Sequence, residues 1–273
     1  GLAGGEIDTD KGIQPVLLAD SFNNYQEVLF KGLDVDFFLH SWSEEHQEEL
    51  LKIYKPKKYI IEKQVDFSGF SISNYSLEHI DTYKKIFNMT DKVKDFLSKK
   101  YIFNSHSRWY STAQSISLME DYSTSHEFTY DWVLQLRMDL FFRETIPFHL
   151  LDSSKFYCCP RFAVDNDLAV NDTWFLSNQE NAKKFSKIYD KIFDYSIWVH
   201  AAAFQHIESF GADLEYFPDP KYGKKNYWMM REVIKEKNAK PISFLTTFTI
   251  NFLSKNLNFV NRLKAFLEKV ISR

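Results

Sequence analysis

Tyr130-Asp131-Trp132-Val133-Leu134-Gln135-Leu136-Arg137 is the stretch on which the reading of this chain turns. Its apolar residues run almost without interruption and are followed by Met138-Asp139-Leu140. Strands buried on both faces have this composition, which places the stretch at the centre of an α/β sheet. Upstream, residues 13–20 and 34–40 (DVDFFLH) are short apolar runs that read as strands, the second a good buried one. Between them, Asn23 to Lys31 has helical spacing, with Tyr25, Val28 and Leu29 on one side. Ser43, followed by Glu44, Glu45 and His46, reads as a capping box opening a helix that runs to about Tyr54 and is ended by Pro56. Lys58 to Glu62 is a third strand. The strand–helix–strand rhythm predicts a doubly wound, mostly parallel (mixed) sheet flanked by helices.

The polar stretch 66–81 reads as a loop, and helical periodicity returns over 82–98 and from about Trp109 to Tyr122. Downstream, Phe156 to Cys159 is a strand closed by Pro160, and Asp172 to Ser177 is a further apolar patch. Asn181 to Tyr195 and Ile197 to Phe210 read as helices, the second ending at Gly211. Leu214 to Phe217 is a short strand. The expectation is one α/β domain over residues 1–240. A C-terminal amphipathic helical extension over 241–273 follows, in which Lys255, Arg262, Lys264, Lys269 and Arg273 outnumber Glu268. That basic segment either packs its Phe and Leu face on the domain or lies on an anionic membrane surface.

A net charge of -3 argues against nucleic acid as the main partner, because phosphate binding needs a clustered basic surface. The aromatic share is 17%. It fits either a Phe-filled core or faces on which rings stack against ligands. The two cysteines, Cys158 and Cys159, are adjacent and give no disulfide framework. A reducing compartment is the natural setting, and the expected location is the cytoplasm, with the inner face of the cell membrane open to the basic extension. No nucleophile elbow, Walker loop or dinucleotide fingerprint is present, so hydrolase, kinase and dinucleotide readings lack their signatures. His200 and His206 lack the spacing of a helical zinc pair.

The chemistry concentrates at the end of the quoted strand. Ligands of open α/β sheets bind outside the carboxyl ends of strands. Arg137 and Asp139, two positions apart, project to the same face if the backbone stays extended. An arginine there can fork onto a diphosphate, and an aspartate there can hold a divalent cation or a ribose hydroxyl. A plain Arg–Asp ion pair fits the same spacing.

Asp36-Phe-Phe-Leu-His-Ser-Trp42, then Tyr130-Asp-Trp-Val-Leu-Gln-Leu-Arg-Met-Asp-Leu140, then Asn171-Asp-Thr-Trp-Phe-Leu-Ser177 occur in this order. Together they resemble bacterial polysaccharide-biosynthesis glycosyltransferases of the GT-A type, with Arg-x-Asp in place of the usual Asp-x-Asp. The resemblance covers roughly residues 13–217 and rests on three short motifs. It implies a nucleotide-diphosphate sugar as donor and a glycan or lipid-linked glycan as acceptor. Arg137 and Asp139 would then be donor-binding, and Asp139 the residue to hold Mn²⁺ or Mg²⁺ if a metal is used. One carboxylate and an arginine bind such an ion more weakly than two carboxylates do, so Arg137 can instead neutralise the diphosphate itself.

The same resemblance gives other positions a role. Gly4 and Gly5 can form a loop whose amides approach phosphate, or be the remnant of an expression tag. Trp42 can wall the base or pack beneath a loop. Arg108 and Gln114 fall on the helix that faces the nucleotide sugar, but six residues apart, so at most one touches it. Asp172 is the candidate carboxylate for taking the acceptor's proton. A cap or turn is its other reading, and Asp165 and Asp167 compete for the role. His206, with Glu208, can approach the diphosphate or serve as a surface or core histidine. A non-catalytic carbohydrate-binding or assembly module of the same fold is the rival reading, and a sulfotransferase a more distant one.

Overall fold

The computed structural model describes residues 6–9, 12–15, 18–75, 91–160, 169–217 and 227–229, and the side chains of 19–75, 99–159 and 169–217. The chain opens with strands β1 (Glu6–Thr9) and β2 (Gly12–Pro15), followed by helix α1 (Leu18–Asn24) and a π-helical turn (Tyr25–Leu29). Next come β3 (Phe38–Ser41), α2 (Gln47–Tyr54), β4 (Lys58–Ile61) and the long helix α3 (Asp91–Ser125). The second half carries β5 (Val133–Leu136), β6 (Leu140–Phe142), β7 (Phe156–Pro160) and β8 (Val170–Ser177). It continues with α4 (Gln179–Ser186), α5 (Val199–Ser209), β9 (Leu214–Tyr216) and β10 (Tyr227–Met229).

All eight residues of β8 are buried, so this strand rather than β5 is the most enclosed of the sheet. It lies between β5 and β7 in the order β5-β8-β7-β9. Successive side chains leave a strand on opposite faces, and this divides the core in two. Trp174 and Leu176 pack with Tyr25, Leu140, Phe142 and Tyr157. Phe175, between them in sequence, packs with Trp109, Phe156, Phe185 and Ile207. Burying each such aromatic is worth about 1.5–3 kcal/mol, which fixes the register of β8 against the π-helical turn and β6 on one side and α3 with α5 on the other.

The protein is mixed α/β, with helices flanking the sheets. Among the described residues, the parallel character expected of it is found in the β3–β4 and β7–β9 pairs. The β5–β8, β7–β8, β1–β2 and β6–β10 ladders are antiparallel. A strand–helix–strand rhythm in the first third of the chain does not carry over to the hairpin-like second half. The antiparallel order has a direct consequence, because the carboxyl end of β5 meets the amino end of β8.

Local departures have local causes. The run expected as a strand over 13–20 becomes helical at Leu18. Of the helix expected over 82–98, residues 82–90 lie outside the described residues; 91–98 and the helix expected from about Trp109 to Tyr122 are parts of one 35-residue helix, since no Gly or Pro interrupts 91–125. Ser43 makes no side-chain cap bond, and a 3-10 turn over 44–46 precedes α2. The helix expected over 181–195 ends at Ser186. Its start is capped by Asn178, whose side chain accepts from the Asn181 N–H at 2.8 Å. Lys55, with φ of 45°, ends α2 just before Pro56. The segment 241–273, expected as a basic helix, lies outside the described residues, as do Gly4, Gly5, Asp165 and Asp167. No described helix is long and apolar enough to cross a membrane. Both cysteines are buried free thiols.

Candidate functional site: a cavity with two arginine–aspartate pairs

A cavity of about 970 Å³ is bounded by β5 and the turn after it, by β3 and the residues before it, by α3 and by the start of α5. Its walls include Arg108, Arg137, Asp139, Asp172 and His200, together with apolar side chains such as Phe38, Leu134 and Met119. The volume is in the range of pockets that enclose small organic ligands, about 300–1,000 Å³.

The β5–β6 turn is held from below by α1. Asn24 uses its amide as a strand would use its backbone: Nδ2 donates to the Phe142 carbonyl at 2.9 Å, and Oδ1 accepts from the Phe142 N–H at 2.6 Å. The Tyr25 hydroxyl donates to the Arg137 carbonyl at 2.8 Å and accepts from the Leu140 N–H at 3.1 Å. Burial pushes the Tyr25 phenol well above its ordinary range, so it stays a donor at any physiological pH. The Arg137 N–H itself bonds the Thr173 carbonyl at 3.1 Å, one residue from Asp172. Register thus brings the two sequence candidates, Arg137 and Asp172, to one end of the β5–β8 ladder.

Arg137 and Asp139 face each other. Nε donates to Oδ1 at 2.8 Å and Nη2 to Oδ2 at 2.7 Å, a two-pronged pair with both side chains about a third exposed, at 35% and 32%. Their common direction comes from the turn at Met138–Asp139 rather than from strand alternation, because the chain leaves the extended conformation after Leu136. The ion pair and the cavity position, alternatives on the sequence, hold together: both residues line the cavity.

The second pair is more enclosed. Arg108, on α3, is held on three sides: Nη1 donates to Thr112 Oγ1 at 2.8 Å, and Nη2 donates to the Asp172 carbonyl at 2.8 Å and to Gln135 Oε1 at 3.2 Å. Its Nε stands 3.7 Å from Asp172 Oδ2, with the side chains 14% and 9% exposed. Burial pulls the guanidinium down to about 10. Asp172 pushes it back up, and Arg137 and Asp139 act on it in opposite senses. Arg108 is therefore still charged at neutral pH. On its other oxygen, Asp172 Oδ1 lies 3.2 Å from His200 Nδ1.

Three sequence candidates stand elsewhere. Trp42 is buried and stacks on Tyr110 with ring centroids 5.2 Å apart, its edge neighbour being His40 at 4.5 Å; it packs beneath the loop and does not line the cavity. Gln114 is absent from the cavity wall, because the stripe of α3 that faces it is Ser107, Arg108, Ser111, Ser115, Ile116 and Met119. His206 is a core histidine: Nδ1 bonds the Tyr195 hydroxyl at 3.0 Å and Nε2 the Lys184 carbonyl at 3.1 Å. Burial lowers it to about 4.

A divalent cation needs several oxygen ligands. Both oxygens of Asp139 are held by Arg137, and among the described residues no group of three His, Cys, Asp or Glu side chains could take a metal ion. The described donor set does not fit Mn²⁺ or Mg²⁺ at Asp139.

Sequence reasoning missed Asn24, Tyr25 and Gln135, whose roles depend on contacts between distant segments. It also passed over His200, which lacks a zinc partner but has a carboxylate one. No family model and no curated protein sequence matches the chain. What the cavity can do is therefore read from its own geometry.

Proposed function

We propose that this protein is a glycosyltransferase of the GT-A type that moves a sugar from a nucleotide-diphosphate donor to a glycan or lipid-linked glycan acceptor. The observation that carries the reading is the meeting of two guanidiniums, Arg108 and Arg137, with Asp139 and Asp172 in one cavity. A departing nucleoside diphosphate gains negative charge as the glycosidic bond breaks, and fixed cations in an enclosed site stabilise that charge. Guanidinium, planar and always protonated, suits a diphosphate better than any other side chain. Arg137 forks onto the diphosphate once Asp139 is displaced, and Arg108 adds positive potential from behind Asp172. The apolar walls exclude water that would otherwise screen both charges.

The test is a panel of nucleotide sugars incubated with the protein, scored by release of nucleoside diphosphate. Release from one donor, lost in Arg137→Ala, is expected. Silence across the panel, together with binding of free glycans, points instead to a non-catalytic carbohydrate-binding module. The self-pairing of Arg137 and Asp139 and the aromatic walls of the cavity favour that second reading.

A further inference from the structure

Tyr54, the last residue of α2, is 5% exposed, and its hydroxyl has no hydrogen-bond partner among the described residues. A buried hydroxyl left without a partner is costly to folding. Its ring packs edge-on against Phe22 and Phe37, with centroids 4.9 and 5.9 Å away, in a cluster with Leu39 and Leu50 that offers apolar surface. Two observations put Asp139 near this hydroxyl. Met138, the residue before Asp139, packs on the same cluster. Burial, and after it the Asp139 charge, push the Tyr54 phenol above its ordinary range. Tyr54 and Asp139 both line the cavity. The nearby Tyr25 hydroxyl is already committed to the Arg137 carbonyl and the Leu140 N–H.

Asp139 is bound elsewhere, because Arg137 takes both of its oxygens, at 2.8 and 2.7 Å. A tethered anion thus sits on the guanidinium that a diphosphate would use. A tethered group competes at an effective concentration of roughly millimolar, and an incoming ligand loses affinity in proportion to the time Arg137 is so occupied. The backbone around Asp139 is fixed: Tyr25 holds Arg137 and Leu140, and Asn24 holds Phe142. The side chain is what can turn. Off Arg137, its carboxylate needs a new donor, since the diphosphate that displaces it is itself anionic. The Tyr54 hydroxyl is a neutral donor without an acceptor, on the side where Met138 already packs.

We infer that Asp139 is a built-in competitor of the nucleoside diphosphate for Arg137, and that Tyr54 receives its carboxylate when the diphosphate displaces it. This rests on the transfer reading above. Before a ligand arrives, Asp139 occupies Arg137. As the diphosphate binds, Arg137 passes to the phosphoryl oxygens, and Asp139 turns to accept from the Tyr54 hydroxyl. After transfer the product diphosphate is more negative and holds Arg137 harder. The return of Asp139 to the guanidinium opposes that hold and so regulates release of the product. The account gives Asp139 the opposite sign from a metal or hydroxyl ligand. Its carboxylate works against the bound diphosphate instead of helping to hold it.

The experiment is a calorimetric titration of the full chain with the adenosine, guanosine, cytidine, uridine and thymidine diphosphates, one at a time. Asp139→Asn, close in shape but uncharged, is expected to bind the preferred diphosphate about 5-fold tighter than the unaltered protein, the scale of an exposed ion pair. Tyr54→Phe is expected to weaken binding roughly 10-fold, the scale of a hydrogen bond to a charged group. In the Asp139→Asn background the same change is expected to have no effect, a coupling that a merely structural tyrosine would not show. Denaturant unfolding is expected to find Tyr54→Phe no less stable than the unaltered protein, because the hydroxyl it removes had no partner. Equal or weaker binding in Asp139→Asn, where the unaltered protein binds, overturns the inference and leaves the transfer reading standing. So does a Tyr54→Phe effect of the same size in both backgrounds. Failure of all five compounds to bind either the unaltered protein or Asp139→Asn overturns both.

Discussion

The two arginine–aspartate pairs of the cavity use the same chemistry in opposite settings. Arg108–Asp172 is nearly sealed, held by Thr112 and Gln135 as well as by its partner. Arg137–Asp139 is about a third exposed, its two members joined by two hydrogen bonds. A buried charge that loses its partner has nowhere to turn, whereas an exposed one turns to water. The first pair is therefore built into the fold, and the second is available to a ligand. Any substitution that treats the two alike breaks this distinction.

The largest expected effect is at the sealed pair. Asp172→Ala is expected to cost about 3–5 kcal/mol of stability, measured by denaturant unfolding, because it strands the Arg108 guanidinium. A cost below about 1 kcal/mol, the worth of an exposed pair, would erase the difference between the two pairs.

Next in size is the effect of acid on the sealed interior. Burial holds His106 and His206 at about 4, below the ordinary histidine value near 6.5. The unfolded chain binds these protons first, so their neutral forms contribute full stability above about pH 6.5. That contribution drains away as pH falls toward about 4, at up to about 3 kcal/mol for each ring. The check is denaturant unfolding across that range in the unaltered protein and in His206→Gln, which is expected to flatten the slope.

At the open pair, Arg137→Ala is expected to weaken binding of a nucleoside diphosphate by about 10- to 100-fold, the scale of one or two charged hydrogen bonds. Calorimetric titration reads it. The smallest expected effect is on stability at the same residue: below about 1 kcal/mol for Arg137→Ala. A larger loss would make this pair structural too.

The contrast also marks what the sequence could disclose. The strand ending at Leu136 and the candidates Arg137, Asp139, Arg108 and Asp172 were legible, because apolar runs and charged residues at their ends are local signals. All four reach one cavity. The antiparallel pairing of β5 with β8 was not legible, since register depends on residues about 40 positions apart that no local pattern links. Nor was the clamp made by Asn24 and Tyr25 on the β5–β6 turn, for the same reason. Trp42 and His206 misled in the opposite direction: polar-tipped rings near a strand or helix end look like ligand contacts until their neighbours, Tyr110 and Tyr195, are in place. Arg137 and Asp139 both line the cavity, but through a turn rather than by the strand alternation expected for them.

The most direct measurement is a calorimetric titration of the unaltered protein and of Arg137→Ala with a set of nucleoside diphosphates and their parent nucleosides. Binding of one diphosphate, absent for its nucleoside and weakened about 10-fold or more in the variant, is the predicted result. Equal affinity of the two proteins for every compound, or no binding at all, would contradict the assignment of this cavity to a diphosphate.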